Sequence, residues 1–83
     1  MDSQPLQLRS NEIQTCINDF KKDLAESENS YQKTLCVVTD NELRSALMEQ
    51  HVVHTERQRA ALAKMEALYN QVQDQLAGLD KSN

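Results

Sequence analysis

The chain is short of residues that turn a backbone: it has one Gly (Gly78) and one Pro (Pro5) in 83 residues. Tight turns draw on Gly for positive φ and on Pro for a preset φ, so a many-stranded sheet has too little material here. A Gly-rich phosphate loop cannot be built from one Gly either. Aromatics amount to 4% and Trp is missing, which removes the stacking platforms of single-stranded nucleic-acid binders. Apolar residues make up 39%. That is a thin supply for a large core, and chains this short are marginal as monomers. No long apolar run is present, so neither a membrane span nor a secretory signal is expected. Basic charge is the minority, with 9 Lys and Arg against 13 Asp and Glu and a net charge of −4. Nucleic-acid surfaces are ordinarily basic, so that partner is disfavoured. The two cysteines, Cys16 and Cys36, would lie about 30 Å apart on one helix, too far for a disulfide. They read as small buried hydrophobes in a reducing cytoplasm.

What is there is helical periodicity. Leu6, Ile13, Ile17, Phe20, Leu24, Ser27, Tyr31, Leu35 and Val38 form a stripe whose steps, from Ile13 on, alternate between three and four residues. That spacing marks one face of an amphipathic helix, over about 5–37. Ser3 or Ser10 could cap its start, and Pro5 is tolerated in a first turn. Val37, Val38 and Thr39 are β-branched and weaken a helix interior. Thr39-Asp40-Asn41-Glu42 then fits the capping-box pattern that opens a helix, so the turn is placed at about 37–40. A second helix over about 40–78 carries Leu43, Leu47, Gln50, His54, Arg57 or Gln58, Ala61, Met65, Leu68, Val72, Leu76 and Leu79. Gly78 is expected to end it, leaving residues 80–83 as a disordered tail.

A short turn between two long helices predicts an antiparallel hairpin, all-α, as a single domain over 1–83. Folding at residue 39 puts Leu35 opposite Leu43, Tyr31 opposite Leu47, Leu24 near His54 and Leu6 near Val72. The middle becomes a polar layer in which Ser27 and Glu28 face Gln50, His51 and His54. Such a layer penalises wrong registers, and histidine makes it sensitive to pH. A hairpin cannot shield both edges of its own seam. A homodimer forming a four-helix bundle is therefore the expected assembly. The competing architectures are a heterodimer and a three-helix monomer broken near His51–Thr55.

The chemistry-bearing residues are few. His51 and His54, with Glu28 from the first helix, form the one candidate metal set. Neither the E-x-x-H pair of carboxylate-bridged bundles nor the H-E-x-x-H of zinc proteases is present. No Cys–His pair comes within reach and no nucleophile elbow can be placed. No cofactor is implied and no enzyme is expected. Arg57, Arg59 and Lys64 form a modest basic cluster suited to an acidic partner surface. Met48, Val52, Met65, Leu68, Tyr69, Val72 and Leu76 are the candidates for a partner or dimer interface. The expectation is a non-enzymatic helical module that presents a bundle face to a protein partner. A metal-binding bundle or a nucleic-acid-associated regulator are the alternatives.

Overall fold

In a computed structural model of the chain, residues 3–81 are described, with the backbone alone at Asp80 and Lys81. Two α-helices account for nearly all of them: α1, Gln4–Val37, and α2, Asn41–Lys81. No strand occurs among the described residues. The fold is an all-α antiparallel hairpin. α2 is continuous through His51–Thr55, so a third helix does not form.

α1 opens with Pro5 in its first turn, where a missing N–H is an orphan anyway. The Ser3 carbonyl accepts from Gln7 N–H at 3.0 Å, but the Ser3 hydroxyl makes no capping bond. Ser10 is not a helix start. It lies inside α1, is buried, and its Oγ accepts from Gln73 Nε2 at 2.6 Å.

The connection, residues 38–40, uses no glycine. Val38 leaves α1 in an extended conformation with φ −88° and ψ 119°, and no described residue has positive φ. The cap of α2 is Asp40 rather than Thr39. Asp40 Oδ1 accepts from Leu43 N–H at 2.8 Å, and its carbonyl receives the first intrahelical bond, from Arg44 N–H. A charged carboxylate makes the stronger cap of the two side chains and also suits the positive end of the helix dipole. Arg44 closes the opposite end: Nη1 donates to the carbonyls of Leu35 at 2.8 Å and Val38 at 3.4 Å. It thereby satisfies acceptors that the last turn of α1 leaves open. At the far end Gly78 does not stop α2, which runs on to Lys81. Gly78 keeps a negative φ, so it acts as an ordinary helical residue. Asp80 and Lys81, expected in a disordered tail, are helical; Ser82 and Asn83 lie outside the described residues.

The seam runs the length of both helices. On α1 it comprises the expected stripe plus Ser10, all buried or half-buried, with the three-and-four spacing of a coiled coil. On α2 it runs through Leu47, His51, Thr55, Gln58, Leu62, Met65, Tyr69, Val72, Leu76 and Leu79. This differs from the expected α2 stripe, since Leu43, Gln50, His54, Ala61 and Leu68 are exposed. The register is offset at two points: Tyr31 stacks on His51 and Cys16 meets Met65, while Glu28 meets His51 as expected. Helical side chains lean toward their own N-terminus. The long Tyr31 ring therefore tilts away from the linker and lands further along α2.

Three large apolar side chains among the described residues are buried: Ile17, Leu76 and, at 1% exposure, Val72. All belong to the half of the hairpin remote from the linker. The molecule measures 64 × 16 × 13 Å with a radius of gyration of 19.0 Å, against about 12 Å for a compact chain of this length. No helix among the described residues is long and apolar enough to cross a membrane.

Candidate functional site

Two features stand out from the seam: a polar layer at its middle and an unpaired apolar surface. The polar layer is centred on His51, not His54. His51 Nε2 lies 2.9 Å from Glu28 Oε2 and 3.4 Å from Thr55 Oγ1. An ionised carboxylate only accepts, so Nε2 carries the proton and donates to Glu28. The imidazole also stacks on Tyr31, with ring centroids 3.6 Å apart and planes within 6°. That contact fixes the ring plane and leaves one edge for Glu28. Leu24, Ser27, Glu28, His51, Thr55 and Gln58 line an open notch of about 370 Å³ beside the layer. The notch arises because Ser27, Thr55 and Gln58 occupy seam positions that bulkier apolar side chains would fill.

His54 belongs to the expected α2 stripe, but the layer forms on His51 instead. His54 is exposed and His51 half-buried, because His51 shares its helical phase with Leu47, Thr55 and Gln58. The metal alternative meets the same geometry. His51 and Glu28 come together, but among the described residues no three His, Cys, Asp or Glu side chains converge on one point. The pair functions as a hydrogen-bonded tie between α1 and α2.

The candidate interface residues separate. Val72 and Leu76 are consumed by the intramolecular seam, and Met65 and Tyr69 are half-buried along it. Met48, Val52 and Leu68 remain exposed. Val52 and Leu68 are about 160° apart around α2 at 3.6 residues per turn, so they lie on opposite flanks of the hairpin. The Val52 flank is charged: Lys21 Nζ reaches Glu66 Oε1 at 3.8 Å, Glu28 holds His51, and Arg59 lies in a groove with Val52 and Glu56. The Leu68 flank carries Cys16, whose Sγ is 3.8 Å from Met65 Sδ, together with Ala61 and with Arg57 and Lys64, which share the helical phase of Leu68. Arg57, Arg59 and Lys64 are all exposed.

The cysteines depart from expectation. Both are free and exposed, because Cys16 stands one position outside the seam and Cys36 faces outward from the last turn of α1.

Sequence periodicity alone missed several exposed apolar side chains near the linker. Val37 at 78% exposure, Leu43 and Val53 join Met48 and Val52 there. Five of the seven large apolar side chains found exposed therefore fall between residues 37 and 53. The signal was available as β-branched and Leu residues off the stripe, but it reads as surface only once α2 has a defined phase. No protein-family model, curated protein or solved structure matches the chain.

Proposed function

We propose that this chain is a non-enzymatic helical interaction module, which works as a homodimeric four-helix bundle and presents apolar surface to a protein partner. One observation carries the reading: the hairpin exposes far more surface than a self-sufficient fold of its mass. Its accessible area is 6570 Å², whereas a compact monomer of 9.5 kDa exposes about 5,000 Å². The excess is about 1,500 Å² per chain, or about 3,000 Å² per pair, within the range of obligate homodimer interfaces. Pairing two hairpins would bury that excess.

The apolar cluster around the linker supports a second role. Met48 and Val52, four residues apart and both exposed, share one face of α2, of the kind that engages a partner helix or groove. Arg59 lies beyond them on the same face of α2 and would dock an acidic rim, whereas Arg57 and Lys64 face the other side of the helix. Free thiols suit a reducing compartment, consistent with a cytoplasmic protein.

The test is thermal unfolding followed by circular dichroism over a wide range of protein concentration. A module that folds as a dimer shows a midpoint that rises with concentration. A midpoint independent of concentration between about 1 and 100 μM contradicts the dimer.

A further inference from the structure

The flank marked by Cys16 and Leu68 carries charge of opposite sign on its two helices. Residues seven apart drift only about 20° around a helix, so Glu12, Asp19 and Glu26 form one exposed row along α1. Each stands three or four residues from Cys16 or Asp23, which puts the row on the Cys16 side of the helix. Arg57 and Lys64 form an exposed row along α2, in the phase of Ala61 and Leu68. No acid lies three or four residues from either base, the spacings at which a helix pairs charges on its own surface. Among the described residues neither row makes an ion pair. The Val52 flank differs, because Lys21–Glu66 and His51–Glu28 already pair there within the chain.

We infer that a second copy of this chain packs on the Leu68 flank with the two-fold axis running along the rod, so that the acidic row of each α1 meets the basic row of the other copy's α2. This rests on the dimer reading above and specifies its interface. A two-fold contact places the same patch on both sides, so the patch must complement itself. An axis along the rod keeps every residue at its own height and sets α1 of each copy against α2 of the other. The heights then agree. Cys16 meets Met65 and Tyr31 meets His51 across the seam. Counting from either contact at 1.5 Å per residue brings Asp19 within about 3 Å of the level of Lys64, and Glu26 within about 3 Å of the level of Arg57. The two-fold repeats both pairs. Asp23 lies beside the acidic row, close to the level of Arg57, and adds a further carboxylate. Glu12 and Lys33, at the two ends of the row, come level with the neutral Gln71 and Gln50. Arg9 has only Gln71 and Gln75 near its height and keeps its charge toward solvent. Between the rows lie Cys16, Ala61 and Leu68, mostly small side chains that let the helices approach. An axis across the rod would instead set α1 against α1 and α2 against α2, and each row would meet its own sign. The Val52 flank faces away from this contact, so Met48, Val52 and Arg59 stay open to another partner.

Charge reversal on one helix at a time tests the pairing. A chain with Arg57→Glu and Lys64→Glu should self-associate about thirtyfold more weakly than wild type, because the exposed pairs become repulsions. A chain with Asp19→Lys and Glu26→Lys should lose a similar amount. An equimolar mixture of the two variants should associate as tightly as wild type, since every acidic row then meets a basic one. All four side chains are exposed in the hairpin. If the hairpin folds only as a dimer, the mixture regains a helical signal that neither variant has alone. Spin labels on Cys36 of a Cys16→Ser chain report the axis. An axis along the rod puts both linkers at one end, with the labels under about 30 Å apart at ordinary helix spacing. An axis across it separates them by more than about 45 Å. Labels at opposite ends, variants that each associate as tightly as wild type, or a mixture that fails to associate overturn this interface and leave the dimer standing. A wild-type monomer overturns both.

Discussion

At the residue scale, the hairpin is specified by a few polar contacts set into a modest apolar seam. His51 is the clearest of them, stacked on Tyr31 and bonded to Glu28. The two contacts are unequal. Glu28 is half exposed, and solvent screening limits such a pair to less than about 1 kcal/mol. Tyr31 contributes both seam area and a ring contact worth about 0.5–1.5 kcal/mol. Urea unfolding should therefore show Tyr31→Ala losing about 2 kcal/mol and Glu28→Gln losing well under 1. Gly78 points the other way. A Cβ built there meets nothing within 4 Å and the residue is helical, so Gly78→Ala should stabilise by about 0.5–1 kcal/mol in the same assay. Much of α1 was legible at this scale, because Ile13 to Val38 keep an unbroken three-and-four spacing of mostly apolar side chains. The middle of α2 was not. His51, Thr55 and Gln58 carry no apolar signal, so the stripe was drawn one position away through Gln50 and His54, and His54 took the place that belongs to His51.

At the element scale, the two helices depend on the linker that joins them. Asp40 caps the start of α2 and Arg44 closes the end of α1, so a connection without glycine leaves few backbone groups unanswered. Asp40→Ala should lose about 1 kcal/mol. Thr39→Ala should be close to neutral, and equal losses at the two positions would return the cap to Thr39. The existence of a break here was readable from the β-branched run Val37-Val38-Thr39 and the acidic residues after it. The Arg44 contact was not, because it joins residues nine positions apart and exists only after the chain has folded back. The register shares that origin. Opposing apolar ends indicated antiparallel pairing, while the offset that brings Tyr31 to His51 follows from the lean of side chains along each helix, which a residue-by-residue alignment of the stripes ignores.

At the scale of the whole molecule, the shape is the strongest functional statement. A rod 64 Å long and 13–16 Å thick with three buried apolar side chains leaves much of its surface uncovered, which supports the proposed dimer. The shortage of apolar residues in the sequence already pointed to an assembly. Which residues the hairpin keeps for itself and which it leaves outside emerged only from the fold: Val72 and Leu76 went inside, while Leu68, Met48 and Val52 stayed out. Most of the large exposed apolar side chains fall in the linker half, which leaves that end of the rod open to a protein partner. Sedimentation equilibrium at micromolar concentration measures the central claim most directly. A mass about twice the 9.5 kDa of one chain is the predicted result, and a compact helical species of single-chain mass would contradict it.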